Sequence, residues 1–379
     1  GDIPMDNYIH YDVANNTLTL HNATIKESVS TDTSTFIAGA AIGVHNQNGA
    51  AELTITLEGT NTIAEVGKGI FVLASSTGGA TLTITGDGSL DASASQTGIW
   101  VQSNNGDAAL FIQNAKVEAT GTSYGVNVQS HKSSTASLTV DGGSLTASGS
   151  PGILYDSIGS GTVPNTTTLT ISNSAIVDAR GGGIGAGLLQ DLKKVSPADD
   201  SVGIVFGLDL SDSKAGAVYG DVTLQDNLTI GEDESLTIPE GSSLDASGKL
   251  TNEGTINVES GGSVSGKLSG GTTITTPTIN APPQDKKVQA GSTAEFSVTA
   301  SAGEGEQLTY QWQQKATVTE SEWEDITNAI NASYTTAPTT TDMSGYQYRC
   351  VVKSASGVSV ISNAATLTVT APPEPEPEP

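Results

Sequence analysis

Cysteine is almost absent: Cys350 stands alone in 379 residues. No intramolecular disulfide can form, and no cysteine–histidine cluster offers a zinc site. Arginine occurs only at Arg180 and Arg349, and 15 lysines and arginines face 41 aspartates and glutamates, a net charge of −26. A surface that tracks phosphates needs clustered cations, so this balance argues against nucleic-acid binding and against docking on an anionic membrane. No run approaches the apolar length of a membrane span, so membrane insertion is not expected. Aromatics make up 4% of the chain, too few for a thick core. No signal peptide opens the chain, which is not an argument for the cytoplasm. High negative charge favours solubility and opposes self-association, so a monomer is expected.

What is present is a repeat. Leu53-Thr-Ile-Thr, Leu82-Thr-Ile-Thr, Leu110-Phe-Ile-Gln, Leu138-Thr-Val-Asp and Leu169-Thr-Ile-Ser follow one another at spacings of 29, 28, 28 and 31 residues. A second column keeps step: Gly69-Ile-Phe-Val, Gly98-Ile-Trp-Val, Gly125-Val-Asn-Val and Gly152-Ile-Leu-Tyr. Apolar residues alternate within the short runs, the period of a strand, and Gly, Ser, Asn and Asp separate them. No repeat carries an amphipathic helix pattern, which excludes helical repeat classes. About 28 residues accommodate three short strands and three turns, and one such coil buries its inner face only by stacking on the next. The fold expected from the repeat is all-β, a right-handed parallel β-helix.

The organisation follows from the spacing. Residues 1–275 read as the β-helix, with 28-residue coils to about 187, an irregular insertion over 188–220 and smaller coils over 221–275. An opening coil aligns Leu18 with Leu53, with an insertion near Lys26–Ile37. Leu188–Lys194 suggests a short helical turn. In the tighter stretch Leu228, Leu236, Leu244, Leu250, Ile256 and Val264 recur at steps of 6 or 8, which implies coils of roughly 20–22 residues. Asn22, Asn114 and Asn173 sit four residues after the leading leucine of their coils, with Gly86 and Gly142 in the same slot, and read as corner residues.

Composition shifts at Thr276-Pro277. Residues 276–371 carry Phe296-Ser-Val298, Trp312 within Thr-Tyr-Gln-Trp-Gln, and Tyr348 two residues before Cys350. This segment resembles the immunoglobulin-like sandwich, with Trp312 as the core tryptophan and Tyr348 as the tyrosine corner. The resemblance implies a buried, inert Cys350, because Phe296 or Val298 stands where a partner cysteine would be. Residues 372–379 alternate Pro and Glu, an extended linker. Such tails resemble those of bacterial surface proteins. They imply an extracellular protein held at the cell wall by a segment further on.

The coil region also resembles the pectate-lyase-like superfamily, whose enzymes use carboxylate clusters with calcium, or paired carboxylates. Asp91, Glu118 and Asp178 lie near one column, with Glu27 adjoining, Thr146 in the gap and Arg180 beside Asp178. They are spread one per coil and read as a charged edge. The acidic turns at Asp87, Asp107 and Asp141 could admit calcium but define no site, so no cofactor or metal is assigned. Gly121-Thr-Ser-Tyr-Gly125 fits a nucleophile-elbow pattern without the strand–helix setting that motif needs. No catalytic residue is assigned.

The second column offers a binding argument. With its flanking residues inward, Phe71, Trp100, Asn127 and Leu154 face outward, one per coil. Gln102, Gln129 and Asp156, with Leu73, run alongside, and His45 joins one coil earlier. A tryptophan beside phenylalanine and amides suits a sugar ring, the ring's apolar face on the aromatic and its hydroxyls on the amides. The expected function is surface binding or adhesion toward a polysaccharide or a host or matrix surface. A β-helix lyase or hydrolase is the first alternative, and a structural stalk or protein-directed adhesin the second.

Overall fold

A computed structural model describes residues 7–28, 38–131, 134–156, 166–186, 195–259, 261–270, 274, 276–302, 307–316 and 322–371. The chain is all-β and divides into two units, Gly1–Asp226 and Asn227–Pro379. Leu188–Lys194, most of the Lys26–Ile37 stretch and the Pro-Glu tail fall largely or wholly outside the described residues.

The first unit is built from three ladders of parallel strands. One ladder stacks Thr17–His21, Ala51–Glu58, Ala80–Gly86, Ala108–Gln113, Thr135–Asp141 and Thr166–Ser172. Its register places Leu53, Leu82, Leu110, Leu138 and Leu169 in one row, as the repeat requires. A second ladder stacks the first part of Thr60–Ala74 and of Ser89–Ser103 with Lys116–Thr120, Ser144–Ser148, Ala175–Gly181 and Gly203–Phe206. The third stacks Ala40–Asn46, the later parts of the same two long strands, Tyr124–Ser130, Ile153–Asp156 and Ile184–Ala186.

Alternation sends Ile84, Leu110 and Val140 from the first ladder, Leu90, Val117 and Leu145 from the second, and Ile99, Val126 and Ile153 from the third into one core, each no more than 2% exposed. Burying each such side chain contributes roughly 1.5–3 kcal/mol, so stability accumulates rung by rung. The second column's glycines are required by close approach. A Cβ on Gly98 would lie 2.7 Å from Gly125 O, 2.8 Å from Ala92 O and 2.9 Å from Thr120 N.

The structure departs from the sequence reading at two places in this unit. Leu18 pairs with Ile55 rather than Leu53. A slip of two residues keeps every side chain on its own face, so alternation cannot detect it. Within the stretch read as an irregular insertion, Gly203–Phe206 extends the second ladder and Ala215–Tyr219 pairs with it antiparallel. At the other end, Tyr8–Asp12 closes the first ladder, also antiparallel. The corner asparagines hold left-handed backbone: φ is 48° at Asn22, 56° at Asn114 and 53° at Asn173. Asn22 Oδ1 accepts from Thr60 N at 3.0 Å, and Asn173 Nδ2 donates to Asp141 Oδ1 at 2.6 Å.

The second unit begins with shorter parallel pairs. Leu228 lies beside Leu250, Leu236 beside Ile256 and Leu244 beside Val264, which is the 20–22-residue step. The strand Thr255–Val258 then pairs in parallel with Val358–Ile361. That strand also pairs antiparallel with Gln347–Lys353, which pairs in turn with Thr309–Lys315. Contacts therefore join residues 227–275 to the C-terminal sheets, although composition changes only at 276. In those sheets Trp312, Phe296, Tyr348 and Cys350 are fully buried in a common core. Phe296 stacks on Tyr348 at 4.5 Å and meets Trp312 at 6.5 Å. Cys350 is a buried free thiol, and burial pushes its pKa up to about 12. Tyr348 fills space without the hydrogen bond of a tyrosine corner, for its buried hydroxyl has no partner among the described residues.

Candidate functional site

Strand register assembles the expected row. Gly43, Phe71, Trp100, Asn127, Leu154 and Gly185 occupy successive rungs of the third ladder. His45, Leu73, Gln102, Gln129 and Asp156 form the neighbouring row. Both rows point away from the main core: Phe71 and Leu73 form a separate apolar cluster with Ala40, and Trp100 packs against it.

The exposure differs from that of an open face. Phe71 is 3% exposed, and Asn127, Gln129 and Leu154 are 1% exposed. Trp100 and Gln102 keep intermediate exposure, as do Gly43 and His45 one coil earlier. The row is enclosed along most of its length, because a strand's outward side chains can be covered by chain from elsewhere and alternation reports direction alone. The Asp156 side chain lies outside the described residues.

Trp100 is held on three sides. Its ring stacks on Phe71 at 4.8 Å with a 27° interplanar angle. Its Nε1 donates to Gln129 Oε1 at 3.2 Å. Lys68 Nζ stands 5.3 Å from the Phe71 centroid and 5.7 Å from that of Trp100 while donating to Ala38 O at 3.2 Å. Burial lowers the Lys68 pKa. Gln102 Nε2 donates to Asn104 Oδ1 at 3.0 Å, and His45 Nε2 meets Ser75 Oγ at 2.6 Å. Asn127 Oδ1 is buried without a hydrogen-bond partner among the described residues. Sequence reasoning missed Lys68. Strand parity would send it inward, but the register shifts between Val66 and Lys68, and parity fails across such an irregularity.

The acidic edge lies on the second ladder. Asp91, Glu118, Thr146 and Asp178 are in register, one per rung. Asp91 and Glu118, with Asn61, Ser89, Lys116 and Thr146, line an open groove of about 220 Å³. Lys116 is paired with Asp226. Arg180 is engaged by Asp178 through Nε at 2.9 Å and Nη2 at 2.5 Å, and its Cζ lies 4.4 Å from the Phe206 centroid. Among the described residues no group of three or more His, Cys, Asp or Glu side chains could hold a metal. Residues 122–123 form a bend leading into the strand Tyr124–Ser130, so Ser123 has no elbow setting.

The family comparison matches within the C-terminal quarter of the chain. Residues 278–371 match a family described as a domain of unknown function, DUF8696. Among solved structures, titin domain M7 is 27% identical over 26% of this chain and 98% of that chain, with a TM-score of 0.21. The titin M10–obscurin-like 1 Ig complex matches at 16% identity over 27% of this chain and 100% of that chain, with a TM-score of 0.20. The N-terminal four Ig domains of Dscam1 isoform 6.9 match at 17% identity over 29% of this chain and 28% of that chain, with a TM-score of 0.23. No curated protein matches the chain.

Proposed function

We propose that this chain is a cell-surface binding protein. In this reading the first unit is a right-handed parallel β-helix of the pectate-lyase-like kind, and residues 276–371 form an immunoglobulin-like domain that displays it. The ligand is a polysaccharide, met at Trp100 and Gln102. One observation carries this reading: Trp100 is immobilised by Phe71, Lys68 and Gln129, yet keeps part of its surface accessible. A fixed aromatic ring beside an accessible amide binds a sugar at low entropic cost. The enclosed residues Phe71, Asn127, Gln129 and Leu154 act here as support. The test is a polysaccharide array, with and without calcium, comparing the intact chain with Trp100→Ala. Loss of binding on substitution supports the reading, and unchanged binding sinks it.

The groove at Asp91 and Glu118 favours a second reading, glycoside hydrolysis. Carboxylates about 5–5.5 Å apart serve retaining hydrolases, and neighbouring rungs lie about 4.8 Å apart. Release of reducing sugar from an array-positive glycan, lost in Glu118→Gln, would establish it. Binding without turnover would remove it.

A further inference from the structure

The second unit carries a polar groove of about 460 Å³ that the reading above does not use. It lies on the outer face of the sheet formed by Thr309–Lys315, Gln347–Lys353, Val358–Ile361 and Thr255–Val258. Alternation builds it. Tyr348, Cys350 and Val352 point into the core, so Arg349, Val351 and Lys353 point out. Register then sets Gln313 beside Arg349, Thr309 beside Lys353, Lys353 beside Ser359 and Ser359 beside Asn257. Four strands at about 4.8 Å make a floor roughly 14 Å across.

The chemistry of this floor differs from the rest of the protein. In a chain of net charge −26, Arg349 and Lys353 line the groove; among the described residues Asp325 is its one lining carboxylate, and Glu259 and Asp325 both act on Arg349 through space. Asp325 already accepts from Gln313 Nε2 at 2.8 Å. The Arg349 guanidinium is fixed: Cζ lies 4.2 Å from the Trp323 centroid, and Nε donates to Gln313 Oε1 at 2.7 Å. Its two Nη groups make no hydrogen bond, and no carboxylate approaches within 4.0 Å among the described residues. A half-buried arginine stacked on tryptophan, with both terminal nitrogens unused, is arranged for bidentate capture of a carboxylate. Around it, the Asn257 amide, the Thr309 hydroxyl and Gln311 line the groove; Gln311 Nε2 donates to Trp312 O at 2.8 Å and Ile326 O at 3.0 Å, which leaves its Oε1 as acceptor.

The geometry points to a binding site for a carboxylate-bearing saccharide, a uronic-acid oligomer, with Arg349 on the carboxylate and the amides and hydroxyls on the ring hydroxyls. The site belongs to the second unit alone and does not depend on Trp100.

The experiment titrates the full chain with a short oligogalacturonate and with a neutral galactan of equal length, followed by calorimetry and tryptophan fluorescence. The acidic probe should bind at least about tenfold more tightly than the neutral one, and more weakly as salt rises. Arg349→Gln should weaken the acidic probe about tenfold or more and Arg349→Lys by less, since lysine keeps the charge but not the planar fork. Trp100→Ala should leave this binding intact. Should Arg349→Gln fail to fold, Lys353→Gln serves as the second variant, with a loss of a few fold expected from removing one groove cation. Absence of acidic-probe binding, equal binding of both probes, indifference to both groove substitutions, or abolition by Trp100→Ala would each overturn the site.

Discussion

Gly357 lies directly against Asn252: a Cβ at position 357 would come within 2.3 Å of Asn252 Nδ2, which donates to Ser356 O at 3.3 Å. Gly357 also has φ +85°, a conformation that costs an L-residue roughly 1–2 kcal/mol. Gly357→Ala should lower stability by about that amount, with further loss if Asn252 swings away from Ser356. A urea titration reporting on Trp312 fluorescence would show the lower midpoint at unchanged slope. An unchanged midpoint would mean the turn relaxes freely.

In the first unit, Gly98→Ala should destabilise by about 1–3 kcal/mol. The three atoms its Cβ would meet are all backbone, in Ala92, Thr120 and Gly125, and cannot rotate aside. Leu110→Ala, at a fully buried rung, should cost about 2–5 kcal/mol. Melting curves of both variants measure the two mechanisms separately, overfilling in one and a cavity in the other.

Tyr8, His21 and Glu58 form one cross-strand row. Tyr8 Oη donates to Glu58 Oε2 at 2.9 Å, His21 Nδ1 lies 2.9 Å from the same oxygen, and the Tyr8 and His21 rings stack at 5.0 Å. Hydrogen bonds from His21 and then Tyr8 hold Glu58 below its ordinary pKa, and the bond to Glu58 raises that of Tyr8. A lowered carboxylate stabilises the fold above its unfolded pKa and loses that contribution as pH falls through the folded value. A raised phenol stabilises below its unfolded pKa and loses its contribution as pH rises through the folded value. The row should therefore weaken at both extremes, below pH about 4 and above about 10. Glu58→Gln should flatten both limbs of a stability–pH profile; a profile of unchanged shape would show the row to be inert.

Cys350 should resist thiol reagents in the folded chain and react fully in denaturant. Its sulfur is buried and its pKa is pushed up to about 12, whereas the thiolate is the nucleophile. Counting reacted thiol per chain with a disulfide reagent decides this, and rapid reaction of the native chain would contradict it.

The Leu53-to-Leu169 register, the 20–22-residue step and the buried Trp312 were legible because each is fixed by periodicity or by a large apolar side chain with one place to go. The Leu18–Ile55 pairing was not, since a two-residue slip leaves parity unchanged. The burial of Asn127 and Gln129 was not either, since parity states which way a side chain points and nothing about what lies beyond it. Lys68 escaped for a third reason: a register shift breaks the alternation that would have placed it. The Arg349 groove needs pairing partners more than 30 residues apart, Gln313 with Arg349, and no local pattern reports those.

The parallel pairing of Thr255–Val258 with Val358–Ile361 also has a mechanical meaning. Tension applied at the start of the first strand and the end of the second runs along both strands in opposite directions. The hydrogen bonds between them are then loaded together, in shear, instead of opening one after another. Under pulling, the joint between the short parallel pairs and the C-terminal sheets should hold as a clamp.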